Sequence, residues 1–123
     1  MSNPLSGRHV LVVEDEMLVL MDTEDMLGDL GCCSVTAAAT VEQAIALIGA
    51  KTFDFALLDI NLDGTLSHPV ADALAARGVP FVVATGYSSQ YVSEIYRDRP
   101  ILNKPFYLPE LTTALSRIKL TER

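Results

Sequence analysis

Five apolar runs punctuate the chain, and nearly all stop at a charged or turn-forming residue. His9-Val10-Leu11-Val12-Val13 stops at Glu14-Asp15-Glu16. Cys32 to Ala37 is a weaker run. Phe53-Asp54-Phe55-Ala56-Leu57-Leu58-Asp59-Ile60-Asn61 is almost continuously apolar until Asp59, and Asp63-Gly64 follows as a turn. Pro80-Phe81-Val82-Val83-Ala84 ends at Thr85-Gly86, and Pro100-Ile101-Leu102-Asn103 ends at Lys104-Pro105. Apolar runs this short, bounded by turn residues, predict strands. The near-continuous ones predict strands buried on both faces.

Between these runs the apolar period changes to that of a helix. Met17, Leu20, Met21, Leu27 and Leu30 predict a first helix, stopped by Gly31. Thr40 is a good N-cap for a second, with Val41, Ala44, Ile45 and Ile48 at i, i+3, i+4, i+7. Leu66 to Arg77 predicts a third around Val70 and Leu74, followed by Gly78. Ser88 to Arg97 predicts a fourth on Tyr91, Val92, Ile95 and Tyr96. Leu108, Leu111, Leu115 and Ile118 predict the last, with Pro109 tolerated in its first turn. Strands alternate with helices five times, so parallel strands with right-handed helical crossovers are expected.

The length of 123 residues suits one domain, and neither a linker nor a repeat divides it. The expectation is a single domain over residues 1–123, core about 8–120, with no output domain. Half of the residues are hydrophobic, enough for a sizeable core. A formal net charge of −7 disfavours nucleic acid, which requires a basic face, and suits cations or basic protein surfaces. Adjacent Cys32 and Cys33 would point to opposite faces of a strand, so they read as small buried hydrophobes without a disulfide. No signal-peptide pattern and no membrane-length apolar run occurs, which makes the cytoplasm the expected compartment.

If the sheet is parallel, Glu14 and Asp15, Asp59, Thr85 and Lys104 all lie at one edge, where open α/β sheets bind ligands. Three converging carboxylates repel one another, and one pKa rises unless a cation intervenes. Hard oxygen ligands suit Mg²⁺. A carboxylate beside such a cation can attack a phosphoryl group, with the metal and Lys104 neutralising oxygens and the Thr85 hydroxyl bonding a third. Asp59 would become an aspartyl phosphate.

The ordered set Val10-Leu11-Val12-Val13-Glu14-Asp15-Glu16, Leu57-Leu58-Asp59, Ala84-Thr85-Gly86 and Asn103-Lys104-Pro105-Phe106 resembles the receiver domain of the two-component response-regulator family. The resemblance spans nearly the whole chain. It implies a flavodoxin-like (βα)₅ fold, doubly wound on a five-stranded parallel sheet of order 2-1-3-4-5. It implies Asp59 as phosphoacceptor, Asp15 as direct metal ligand, Glu14 acting mostly through water, and the Asn61 backbone carbonyl as a further ligand. Thr85 matches the switch hydroxyl and Lys104 the phosphate-pairing lysine, with a cis bond to Pro105. The cofactor implied is Mg²⁺, for which Mn²⁺ or Ca²⁺ can substitute. The partner implied is a histidine kinase or histidine phosphotransfer protein, with a downstream protein partner, relay or phosphate sink as output. The implied role is a stand-alone signalling module that catalyses only its own phosphorylation and dephosphorylation; the sequence leaves the oligomeric state open, with a monomer favoured.

Most receivers carry Tyr or Phe where this chain has Ile101. The segment from Pro80 to Tyr87 instead resembles the "FAT GUY" subgroup, which lacks that aromatic switch. Gly86 is then expected to let the loop after the fourth strand move and reposition the fourth helix.

Two competing readings stand beside this one. Asn61-Leu62-Asp63-Gly64-Thr65-Leu66 nearly spells the haloacid-dehalogenase motif, but Asn61 sits at its nucleophile position and cannot form an acyl phosphate. A pseudo-receiver that only scaffolds partners would not need the complete acidic, threonine and lysine set. His9, His68 and the Asp63 turn read as structural.

Overall fold

A computed structural model of the chain describes residues 5–62, 64–86 and 99–118. Its elements are β1 (His9–Val13), α1 (Met17–Asp29), β2 (Ser34–Ala38), α2 (Val41–Ala50), β3 (Phe55–Asp59), β4 (Asn61–Leu62), β5 (Thr65–Leu66), α3 (His68–Ala76), β6 (Phe81–Thr85), β7 (Ile101–Asn103) and α4 (Leu108–Leu115). The main sheet has the order β2-β1-β3-β6-β7, all parallel. This is the doubly wound flavodoxin-like arrangement, the 2-1-3-4-5 order expected from the resemblance. The fourth expected helix, with Tyr91, Val92, Ile95 and Tyr96, falls outside the described residues, as does Asp63.

Strand periodicity sorts the core into two layers. Leu11, Val13, Ala56, Leu58, Phe81 and Val83 face one side, where Ala44 and Ile48 of α2 and Val70 and Leu74 of α3 cover them. Val10, Val12, Phe55, Leu57, Val82 and Ala84 face the other, against Leu27 of α1 and Leu111 and Leu115 of α4. Every residue of β3 and β6 is buried, as near-continuous apolar runs require. The Thr40 side chain caps α2 by accepting the Gln43 N–H at 3.1 Å.

Four local expectations are corrected. The expected face of α1 holds at Leu27, which is buried, and at Leu20 and Leu30, which pack against the second layer, but Met17 and Met21 are exposed and Thr23 is buried instead. Thr23 can be buried because its hydroxyl donates to the Val19 carbonyl at 2.7 Å, which satisfies the polar atom. On α2, Ile45 is exposed while Ala44 and Ile48 carry the contact. The second strand starts at Ser34, so the cysteines precede it. Both are free, Cys33 exposed and Cys32 half-buried against the second layer, where burial and then Asp54 push its thiol up to about 11. Finally, α3 starts at His68 rather than Leu66, because Thr65–Leu66 pairs antiparallel with Asn61–Leu62. Gly64 turns that hairpin at φ 87°, a conformation suited to glycine, and the Asn61 side-chain oxygen accepts its N–H at 2.7 Å.

Candidate functional site

Parallel pairing carries the carboxyl ends of β1, β3, β6 and β7 to one edge of the sheet. Leu58 pairs with Val13 and Asp59 with Ala84, so Glu14 and Asp59 leave neighbouring strands at the same level. Thr85 pairs with Asn103, and the Thr85 carbonyl accepts the Lys104 N–H at 2.8 Å. The backbone ladder therefore sets where the lysine emerges. The Lys104–Pro105 bond is cis, as the resemblance implied.

Lys104 is the hub of the site. Its ammonium lies 2.9 Å from Asp59 Oδ2, 3.1 Å from Glu14 Oε1 and 3.2 Å from Glu16 Oε1. Asp59 and Glu14 are both 4 % exposed. The other Asp59 oxygen, Oδ1, accepts the Asn61 N–H at 3.2 Å, and Glu14 Oε2 accepts the Glu16 N–H at 3.2 Å. Thr85 is fully buried.

One ammonium among these carboxylates leaves negative charge in excess. Burial, then the neighbouring Asp59 carboxylate, pushes the Glu14 pKa up to about 7, although Lys104 pulls it down. For Lys104, burial alone disfavours the charged form. The hydrogen bond and charge of Asp59, reinforced by Glu14, outweigh burial and hold the ammonium above its ordinary range. It stays protonated at any physiological pH.

Glu14, Asp15 and Asp59 each offer a carboxylate oxygen, and these atoms lie within 4.8 Å of one another. Clustered hard oxygen donors carrying uncompensated negative charge fit a divalent cation such as Mg²⁺. Asp15 is the most open of the three, consistent with a ligand approached from solvent.

Of the supporting positions, Ile101 is half-buried and packs on the first core layer. A Cβ at Gly86 would meet nothing within 4 Å, so sterics in this conformation do not demand glycine there. The Asn61 side chain is occupied by the hairpin turn, so the haloacid-dehalogenase-like hexapeptide builds a turn here. The residue that the sequence reading passed over is Glu16. It appeared only as the last member of an acidic run, and nothing in that run shows that its side chain reaches Lys104.

A family model described as "Response regulator receiver domain" matches residues 10–116. Among curated proteins, the transcriptional regulatory protein PdtaR of Mycobacterium tuberculosis is 30% identical over 112 residues, covering 88% of this chain and 55% of PdtaR. The chain spans about half the length of the curated relatives it matches. Among solved structures, SdrG from Sphingomonas melonis Fr1 is 45% identical with a TM-score of 0.81, covering 94% of this chain and 97% of SdrG. The receiver domain of the sensor histidine kinase PA1611 from Pseudomonas aeruginosa PAO1 is 28% identical with a TM-score of 0.76, covering 91% of this chain and 97% of that one. That structure has a magnesium ion coordinated in its active site cleft.

Proposed function

Since this chain belongs to the response regulator receiver domain family, we propose that it accepts a phosphoryl group on Asp59 from a phosphohistidine in a Mg²⁺-dependent reaction. The observation that carries the reading is the contact of Lys104 Nζ with Asp59 Oδ2 at 2.9 Å, beside two more carboxylates. A buried carboxylate held by an ammonium and adjoining a cation site is equipped to take a phosphoryl group.

In this proposal an Asp59 oxygen forms the new O–P bond. The P–N bond to the donor imidazole breaks, and its electron pair stays on the ring nitrogen. Asp15, Asp59, the Asn61 carbonyl and, through water, Glu14 would hold Mg²⁺. When bound, the ion supplies positive charge to phosphoryl oxygens that would otherwise be repelled by the carboxylates. Lys104 pairs with a second phosphoryl oxygen, and the Thr85 hydroxyl donates to a third. Water later cleaves the acyl phosphate and releases inorganic phosphate.

The donor in this reading is a histidine kinase or histidine phosphotransfer protein. The output is contact with a downstream protein, onward relay or phosphate drainage; the segment after Gly86, to which the resemblance assigns the switching, lies outside the described residues. The primary test is incubation with a small phosphodonor. Acid-labile phosphate should appear only with Mg²⁺ and vanish in Asp59→Asn and Asp59→Ala. Label that survives Asp59→Ala, or forms equally in a chelator, overturns the assignment.

A further inference from the structure

The Lys104 ammonium has three N–H donors. Three carboxylates lie within hydrogen-bond distance of it: Asp59 Oδ2 at 2.9 Å, Glu14 at 3.1 and 3.3 Å, and Glu16 Oε1 at 3.2 Å. All of its donor capacity is therefore engaged. A phosphoryl group on Asp59 takes over the donor that Asp59 Oδ2 now holds, but its oxygens lie farther out along the side chain, so the ammonium has to shift toward them and one of the two glutamates has to let go.

Burial decides which. The Glu14 side chain is 4% exposed, and taking the ammonium from it would strand a buried anion. The Glu16 side chain is 62% exposed, so water can replace the ammonium there at small cost. Glu16 also occupies the N-cap position of α1, yet its side chain makes no capping bond to that helix. Its carboxylate is committed to the lysine, 88 residues away in sequence.

We propose that Glu16 is a positioning residue, which holds Lys104 in the unphosphorylated protein and surrenders it to the phosphoryl group on Asp59. The inference rests on the phosphoacceptor reading. Glu16 acts through Lys104 and does not touch the reacting atoms. Because it competes for the lysine, it slows phosphorylation and favours the unmodified state.

The test uses the full chain, saturating Mg²⁺ and phosphoramidate, whose P–N bond breaks to release ammonia as the Asp59 O–P bond forms. Glu16→Gln should raise the phosphorylation rate about two- to fivefold at low salt, the range expected for an exposed ion pair. The gain should shrink as salt is added. In parallel, the Glu16 carboxyl carbon is followed by NMR. Beryllofluoride with Mg²⁺ should move its resonance in the wild type to the value seen in unloaded Lys104→Met. A Glu16→Gln rate at or below wild type, or a Glu16 resonance unmoved by beryllofluoride, overturns the inference alone. A wild type that takes neither phosphoryl group nor beryllofluoride overturns the phosphoacceptor reading and this inference with it.

Discussion

The two ends of the sheet each bury a cation beside a carboxylate, and they differ in balance. At the amino end, Arg8 Nη1 meets Asp54 Oδ1 at 3.2 Å, and Asp54 Oδ2 accepts the His9 N–H at 2.7 Å. One positive group meets one negative group, and both carboxylate oxygens are satisfied. At the carboxyl end, one ammonium faces Asp59, Glu14 and Glu16, with Asp15 alongside. The balanced pair joins the segment entering β1 to the segment entering β3. The unbalanced cluster stores a demand for positive charge, visible in the raised Glu14 pKa, and that demand is what a divalent cation can meet.

Breaking the unbalanced end should have the largest effect. Asp59→Asn keeps the shape but removes the proposed nucleophile, so Mg²⁺-dependent, acid-labile labelling should be lost entirely. The fold should remain, as judged by circular dichroism.

Lys104→Met sharpens the contrast next. It leaves Glu14 and Asp59 as buried anions without their ammonium, and without Mg²⁺ it should destabilise by about 3 kcal/mol at pH 8. The loss should be smaller at pH 6, where Glu14 takes up a proton, and Mg²⁺ should restore part of it. Urea melts at the two pH values, with and without metal, check this.

Arg8→Met makes the opposite cut. It should cost about 2 kcal/mol, because Asp54 keeps its backbone donor and some solvent access. That cost should be similar at pH 6 and pH 8 and leave Mg²⁺ affinity unchanged, since the pair sits at the far edge of the sheet. A large change in Mg²⁺ affinity would mean that the two ends are coupled.

The smallest effect comes from pH. Glu14 must be ionised to help hold a cation, and its pKa stands at about 7 instead of 4.5. Apparent Mg²⁺ affinity should therefore fall about tenfold from pH 8 to pH 6, as one proton competes with the metal. Metal-free stability has the opposite sign. A carboxyl raised above its unfolded value binds more protons when folded, so its contribution is lost as pH rises from about 4.5 through 7. Glu14→Gln should flatten both profiles, measured by Mg²⁺ titration and thermal melts.

Much of this was legible before any coordinates. The apolar runs at Val10–Val13, Phe55–Leu58 and Phe81–Ala84 are the strands observed, since a strand buried on both faces must be apolar at consecutive positions. Thr40, Gly64 and Gly78 mark a cap and two turns for reasons confined to a few residues. The face of α1 was legible only in part: Leu20, Leu27 and Leu30 meet the core as expected. Met17 and Met21 looked like core, but Thr23 occupies the buried stripe with its hydroxyl returned to the Val19 carbonyl. The short hairpin before α3 was also missed, because Leu66 fits a helical period as well as a strand pair.

By itself the sequence determined where the five strands of the main sheet lie, the residues that close four of them, and which of those bear charge. These depend on side-chain polarity and backbone preference over spans of a few residues. Only the tertiary structure decided that Lys104 sits among Glu14, Glu16 and Asp59, because those contacts join segments 45 to 90 residues apart. Pairing across such distances is set by strand register and by the burial that makes an unmatched charge costly. Neither quantity exists until the sheet has formed.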